Sequence, residues 1–189
     1  MERSLPNGFL FWPVVAFVLA ADVVTKAIAV TSLAPQLIAH EVIGTVVQFT
    51  LVYNPGAAFG IHVGPYSRIV FSVLTVVALT ILWRLYRATP TGDYRQALAL
   101  ALLTAGAVGN LIDRIRSSRG VVDFIDIGVG SHRWPTFNIA DVAVTSGAIL
   151  LAVVLWREDR AREHAERVAA GTPSAGSAPL IVPRSGESA

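Results

Sequence analysis

Four long apolar segments constrain this chain more than any other feature of its sequence. In chain order they are residues Gly8 to Val30, Ile69 to Trp83, Ala97 to Ile112 and Val142 to Trp156. The hydrocarbon core of a bilayer is about 30 Å thick and needs roughly 20 mostly apolar helical residues to cross it. The last three segments are shorter, so their polar flanks are expected at the interfaces. The pattern predicts a bundle of four transmembrane helices.

The composition agrees with a membrane protein. Hydrophobic residues make up 53% of the 189 residues and charged residues 15%, against about 25% charged in soluble domains. The formal net charge is only +2 and the basic residues are scattered, which gives no support for a nucleic-acid partner. The absence of cysteine excludes disulfides, thiolate metal sites and a cysteine nucleophile.

The first apolar segment has a competing interpretation as a cleaved signal peptide. Val18, Leu19 and Ala20 before Ala21 resemble a cleavage site. Apolar sequence nevertheless resumes from Ala27 to Val30, which a removed signal peptide has no reason to carry. We therefore predict a retained first helix.

The connections between the segments predict a small amount of β-structure. Val42 to Tyr53 is rich in strand-forming residues, is broken at Gly44 and ends at the turn Asn54-Pro55-Gly56. We expect a hairpin or small sheet there, lying on the membrane surface. The third connection, from Asp113 to Phe137, mixes charges with apolar residues and is expected to be half buried.

The end of the chain changes character after the fourth segment. We predict a membrane domain over residues 1–157, a charged helical extension over 158–170 and a disordered tail over 171–189, where Gly, Ser, Pro and Ala cannot bury a core. The arginine bias between connections places both termini in the cytoplasm, by eight arginines to five.

Three carboxylates of the apolar segments are expected at one face of the membrane. At 1.5 Å per residue, Asp22 lies about 20 Å beyond Gly8, Asp113 about 27 Å beyond Arg95, and Asp141 about 24 Å before Arg157. Because successive helices run in opposite directions, these depths coincide. Ionisable groups inside a membrane carry a functional hypothesis by default.

Other polar and small residues have structural interpretations. Asp22 and Lys26 are four residues apart, so they form a neutralising pair on one helix face that supports the bundle. Gly106 and Gly109 allow close helix packing. A solvated helix end needs no cluster like Asn110-Leu-Ile-Asp113-Arg114, although an interfacial ion pair is the alternative there.

Asp123 and Asp141 can share acid and base duties. Apolar neighbours favour the protonated form of Asp123, whereas the helix dipole favours the ionised form of a carboxyl at the position of Asp141. Such a pair activates water for peptide hydrolysis without a metal or other cofactor. Spacing alone leaves Asp113 and Asp126 as alternatives to Asp123.

Other functions have less support in the sequence. A histidine zinc site is disfavoured because the four histidines are scattered, and Ser146 stands in the fourth segment without a histidine at matching depth, so Thr145-Ser146-Gly147 is better explained by packing. Two rivals stay open. One is a transporter or proton pathway, which predicts charges at several depths. The other is a metal-dependent hydrolase acting on lipid headgroups, with Asp113, Asp123, Asp126 and Asp141 as oxygen ligands.

Five motifs in order resemble the lipoprotein signal peptidases, also called signal peptidase II. They are Asp22-Val-Val-Thr25-Lys26, Asn54-Pro-Gly56-Ala-Ala-Phe59-Gly60, Gly106-Ala-Val-Gly109-Asn110-Leu-Ile-Asp113-Arg114, Val121-Val122-Asp123-Phe124-Ile-Asp126 and Phe137-Asn138-Ile-Ala140-Asp141. Ala105 departs from the family, which usually has another glycine at that position.

The resemblance implies a fold, an activity and a site. The fold is an all-α integral membrane bundle of four helices with a small extracytoplasmic β-cradle and a short surface helix. The activity is removal of signal peptides before a diacylglyceryl-modified cysteine by a monomeric aspartyl peptidase of the bacterial inner membrane, which the cyclic peptide globomycin inhibits. The implied site has Asp123 and Asp141 as the catalytic pair, with supporting or substrate-binding residues Asn54, Gly56, Asn110, Asp113, Arg114 and Asn138.

Overall fold

A computed structural model describes residues 5–55 and 64–171, and its helices follow the four apolar segments. They are α1 (Gly8–Ser32), α2 (Ser67–Ala88), α3 (Tyr94–Arg116) and α4 (Ile139–Gly171). Each contains a stretch long and apolar enough to cross a membrane. The prediction of four membrane-spanning helices is confirmed.

Helix α3 lies at the centre of the bundle because its contact surface is built from small residues. It packs against α1 and α2, and its fully buried residues are Ala97, Ala99, Leu100, Ala101 and Ala105. A Cβ atom on Gly106 would collide with the main-chain oxygen of Ala140, so α4 also approaches α3 closely. Small residues are what allow helix backbones to come together in a bilayer.

The outer faces of the helices are apolar and unburied. The most hydrophobic stretch of the region Gly64–Ala88 has none of its residues buried inside the protein. In water such a surface would be an aggregation hazard, whereas lipid solvates it at no cost. The bundle is therefore packed for a membrane, with polar groups turned inward.

The connections at one end of the bundle form a four-stranded antiparallel sheet. Its strands lie in the order β1 (Ala39–Ile43), β2 (Val47–Asn54), β3 (Val121–Val129) and β4 (His132–Arg133). The hairpin predicted around Gly44 is present as β1 and β2, and Gly44 has the positive φ of 49° that suits glycine. The label all-α therefore describes only the membrane-spanning part.

The other end of the bundle is closed by Asn7, just before α1. Its side-chain amide donates to the carbonyl oxygen of Pro90 at 2.8 Å, and its side-chain oxygen accepts from Gly92 N at 2.9 Å. The N-terminal end of α1 is thus fastened to the connection between α2 and α3. The sheet, formed by the first and third connections, is at the opposite end.

Two predicted regions lie wholly or partly outside the description. Residues 56–63, which hold most of the motif from Asn54 to Gly60, are outside the described residues, and a 3₁₀ turn at Gly64–Tyr66 leads directly into α2. Residues 172–189, nearly all of the predicted tail, are also outside them. The segment from Leu155 onward forms a unit of its own, helical to Gly171, with a guanidinium–ring contact of 4.8 Å between Arg160 and Trp156.

Candidate active site

A reciprocal cap fixes the start of α4 and the position of Asp141. The side-chain oxygen of Asn138 accepts a hydrogen bond from Asp141 N at 2.9 Å, and Asp141 Oδ2 accepts one from Asn138 N at 3.2 Å. This is the geometry of a capping box, in which two otherwise unpaired amides at a helix start are satisfied by side chains three residues apart. The sequence Asn138-Ile-Ala-Asp141 therefore holds this carboxylate at the membrane end of the sheet.

The same asparagine also holds Asp123. Asn138 is fully buried, and its amide nitrogen donates to Asp123 Oδ1 at 2.7 Å and to the side-chain oxygen of Asn110 at 3.1 Å. One side chain thus contacts Asp123 on β3 and the backbone of Asp141 on α4. The relative position of the two carboxylates is set by this buried residue.

Asp123 is placed by the pairing of β2 with β3. Asp123 lies opposite Val52 in the sheet, and Asn54 at the end of β2 donates to Asp123 Oδ2 at 3.2 Å. The side chain is buried between β3 neighbours Val122 and Phe124. Burial, and secondly the negative charge of Asp141, raise the pKa of Asp123 from 3.8 to about 7, although hydrogen bonds from the two asparagines oppose the rise. Asp123 can therefore hold a proton near neutral pH.

Asp141 is connected to a buried lysine through Asn110. Asn110 donates to Asp141 Oδ1 at 2.7 Å and accepts from Lys26 Nζ at 3.0 Å. Lys26 also lies 2.8 Å from Asp22 and 2.8 Å from Asp113. All three donors of the ammonium group are used. The pair predicted between Asp22 and Lys26 is present, and it extends to Asp113 and to the side chain that holds Asp141.

Asp22 and Asp113 each support the site from a second direction. Asp22 Oδ1 accepts from Ala140 N, in the first turn of α4, at 2.9 Å. Asp113 Oδ2 accepts from Val122 N, beside Asp123, at 3.2 Å. The network around Lys26 thus links α1 and α3 to both elements that carry the carboxylate pair.

Asp123 and Asp141 open onto a common pocket of about 530 Å³. Its lining residues are Asn54, Arg114, Asp123, Trp134, Pro135, Thr136, Phe137, Asp141, Val142, Val144, Thr145 and Ser146. Within residues 5–55 and 64–171, the buried Nε of Arg114 has no hydrogen-bond partner. The pocket therefore combines two carboxylates, an unpaired donor and an apolar wall.

The remaining predicted residues lie in different places. Asp126, an alternative to Asp123, does not line the pocket; it accepts from Arg133 Nε at 2.6 Å and from Thr50 Oγ1 at 3.2 Å. Gly56 lies outside the described residues. Across the part of the chain that the structure describes, no three His, Asp or Glu side chains are grouped as a metal ion would require.

Sequence reasoning missed one wall of the pocket. Residues 134–137 follow β4 and remain paired with β3, because Trp134 N donates to Ile127 O at 2.8 Å and Phe137 N to Ile125 O at 3.0 Å. The only signal for this wall was the pair of aromatic residues flanking Pro135 and Thr136. The hydroxyl residues Thr145 and Ser146 were likewise assigned to packing alone.

Comparisons with known proteins agree with this fold. Two solved structures described as bacterial membrane enzymes have the same fold: one aligns with a TM-score of 0.74 at 33% identity, covering 84% of this chain and 94% of its own, and the other with a TM-score of 0.70 at 34% identity, covering 82% and 97%. The fold and site thus define a bacterial membrane enzyme built on four helices.

The family follows from sequence similarity. The model of the signal peptidase II family, Peptidase_A8, matches residues 14–157. A lipoprotein signal peptidase of Desulforapulum autotrophicum is 43% identical over 140 residues, which cover 70% of this chain and 83% of the relative. One from Xanthomonas axonopodis pv. citri is 38% identical over 154 residues, covering 80% and 88%. The chain belongs to the signal peptidase II family.

Proposed function

We propose that this protein is an intramembrane aspartyl endopeptidase that removes signal peptides from diacylglyceryl-modified prolipoproteins, cutting before the lipidated cysteine. The observation that carries the proposal is the pair Asp123 and Asp141, held by the buried Asn138 and lining a common pocket. The names of the relatives support the substrate class.

In the proposed reaction the two carboxyl groups have different roles. Asp141 is the carboxylate that takes a proton from water. Its two oxygens accept hydrogen bonds from the Asn110 side chain and from the backbone N–H of Asn138. The water oxygen bonds to the scissile carbonyl carbon while protonated Asp123 donates a hydrogen bond to the carbonyl oxygen. The tetrahedral intermediate then loses the amine, which takes a proton from the pair as the carbon–nitrogen bond breaks.

The supporting residues position substrate and catalytic groups. Arg114 has fixed guanidinium donors and a buried Nε without a partner in the described part of the chain, so we assign it to substrate backbone carbonyls. Asn54 holds Asp123, and Gly56, which is outside the described residues, is assigned to substrate binding because it belongs to the same sequence motif. Asn110 and Asp113 connect the pair to Lys26. No metal or other cofactor takes part in this scheme.

The proposed setting is the inner membrane of a bacterium. Both termini are cytoplasmic and the sheet with its site is extracytoplasmic, in agreement with the fastening of residue 7 to the opposite end of the bundle. A monomer suffices, because every proposed catalytic group comes from one chain. The lipidated substrate enters sideways between helices while its acyl chains stay in the bilayer, and globomycin occupies the same pocket. Residues 158–170 are a cytoplasmic helical extension.

The experiment that tests the function identifies the product. The purified protein is incubated with a diacylglyceryl-modified prolipoprotein in detergent, and the masses of the products are measured by mass spectrometry. We expect a released signal peptide and a mature fragment that begins at the lipidated cysteine, and we expect globomycin to stop their formation. The same substrate without its lipid is the control. Intact substrate after prolonged incubation, or cleavage that globomycin does not inhibit, would contradict the proposal.

A further inference from the structure

The pocket continues from Asp141 along α4 to two hydroxyl groups. Val142, Thr145 and Ser146 line it beyond the carboxylates. Residues three and four apart share a helix face, so these side chains follow Asp141 on one surface of α4. At 1.5 Å per residue, Thr145 and Ser146 lie about 6 to 8 Å from Asp141 along the helix axis.

These hydroxyl groups differ from five others in helices α1 and α2. A hydroxyl in a transmembrane helix commonly donates to the carbonyl oxygen one turn earlier. Five hydroxyl residues of α1 and α2 do so, at 2.7 to 3.1 Å: Thr25, Thr31, Ser72, Thr75 and Thr80. In the described part of the chain no hydrogen bond joins the side-chain hydroxyl of Thr145 or Ser146 to another residue. Their bonding capacity is directed at the pocket.

Packing alone does not account for both residues. Gly147 is the small residue that meets α3, since a Cβ atom there would lie 2.9 Å from Ala99 O and 2.9 Å from the side chain of Leu103. Thr145 and Ser146 are exposed on α4 and line the pocket. An apolar residue would be better solvated by lipid at these two positions.

A substrate supplies the missing partners. A peptide bond must leave the helical conformation to be cut, which exposes the N–H and C=O groups around it at membrane depth. Each such group costs several kcal/mol when unpaired in hydrocarbon. The part of a signal peptide that precedes the scissile bond lies deeper in the bilayer, on the side where α4 carries Thr145 and Ser146. At about 3.3 Å per extended residue, the two hydroxyls reach groups about two residues before the cut.

We infer that Thr145 and Ser146 form a binding subsite that hydrogen-bonds the unwound main chain of the signal peptide about two residues before the scissile bond. This inference rests on the proposed function. It assigns the hydroxyls to substrate binding, and Asp123 and Asp141 remain the catalytic pair. It also explains how an extended peptide segment is tolerated within the membrane before the cut.

The test compares variants that keep the shape of the pocket. Thr145→Val with Ser146→Ala removes both hydroxyls, and we expect kcat/KM for the lipidated prolipoprotein to fall about 10- to 100-fold, since each lost hydrogen bond accounts for about tenfold or less. Thr80→Val is the matched control, because its hydroxyl bonds Val76 O on a helix outside the pocket, and it should stay within twofold of wild type. Thr145→Ser, with Ser146 retained, keeps a hydroxyl at this position and should recover most of the rate that the double variant loses.

A second substrate separates binding from a structural effect. Esters replacing the two amide bonds before the scissile bond remove an N–H and weaken a carbonyl acceptor at each position. Wild type should cut this substrate about tenfold more slowly than the amide substrate, whereas the double variant should show little further loss. A double variant within twofold of wild type, or equal losses from the esters in both proteins, would overturn the subsite. If wild type fails to cut the amide substrate, the proposed function falls and the inference falls with it.

Discussion

Replacing Asp123 with asparagine should make the protein more stable at alkaline pH relative to wild type. The pKa of Asp123 is raised by burial from 3.8 to about 7, so the folded state favours its protonated form. The stability that this preference supplies is fully present below pH 3.8 and is lost as the pH rises through about 7. The Asp123→Asn variant has no such carboxyl and loses nothing over this range.

The size of the effect follows from the same values. Between pH 5 and pH 8 the wild type should lose about 2 to 3 kcal/mol of folding stability relative to the variant. From pH 5 to about pH 7 only the folded state keeps the proton on Asp123, and each pH unit in that interval costs about 1.4 kcal/mol. For a chain of this length, 1 kcal/mol corresponds to about 2 to 4 °C in Tm. The difference in Tm, Asp123→Asn minus wild type, should therefore increase by about 5 to 10 °C from pH 5 to pH 8.

Thermal unfolding in detergent, followed by intrinsic fluorescence at pH 5, 6, 7 and 8, measures this difference. All other titrating groups are common to both proteins, so their contributions to the pH dependence of Tm largely cancel in the difference. Asp159→Asn is the control, since Asp159 is exposed on α4 and its variant should follow wild type at every pH. A difference in Tm that stays constant from pH 5 to pH 8, or that shrinks, would refute the argument that burial keeps Asp123 protonated.

Three further predictions concern the buried network. Lys26→Met should lower stability by about 3 to 5 kcal/mol, because Asp22 and Asp113 lose their shared cation; a Tm equal to that of wild type would contradict it. Gly109→Ala should lower stability by about 1 to 3 kcal/mol, because the new Cβ would lie 2.5 Å from Asp22 Oδ2, and thermal unfolding with Gly8→Ala as a control measures it. Asn138→Ala should reduce kcat at least tenfold with a smaller change in KM, because Asp123 loses the hydrogen bond from the Asn138 side chain and the start of α4, which carries Asp141, loses its cap; an unchanged kcat in the cleavage assay would count against it.

The sequence was sufficient for the parts of the fold that depend on local patterns. The four apolar segments predict the four helices, and the strand-forming run ending at Asn54 predicts the β1–β2 hairpin. Asp22 and Lys26 are four residues apart, so their contact follows from helix geometry alone. These features require no knowledge of which segments meet in space.

Long-range contacts were beyond that reasoning. Strand β3 pairs with β2 across about 70 residues of sequence, and no local pattern encodes that pairing. Apolar residues around Asp123 and Asp126 indicated burial only, and spacing could not separate the two. The sheet distinguishes the two residues, because Asp126 forms an ion pair with Arg133 whereas Asp123 accepts a hydrogen bond from Asn54. The family motifs had already favoured Asp123 as a prediction.

The role of Asn138 likewise depends on tertiary structure. Its position before an apolar helix predicts a cap, and the structure has that cap. Its second contact, with Asp123, requires the third connection to fold back on itself as β3 and the wall at residues 134–137. A cap is a local property, whereas a bridge between two carboxyl groups needs two elements to be brought together.

The most direct test of the central claim is cleavage of a diacylglyceryl-modified prolipoprotein by wild type, Asp123→Asn, Asp141→Asn and Asp126→Asn, each with and without EDTA. We predict that Asp123→Asn and Asp141→Asn lose cleavage, that wild type and Asp126→Asn retain it, and that EDTA changes none of these results. Cleavage by either of the first two variants, or its loss in EDTA, would contradict a catalytic pair formed by Asp123 and Asp141.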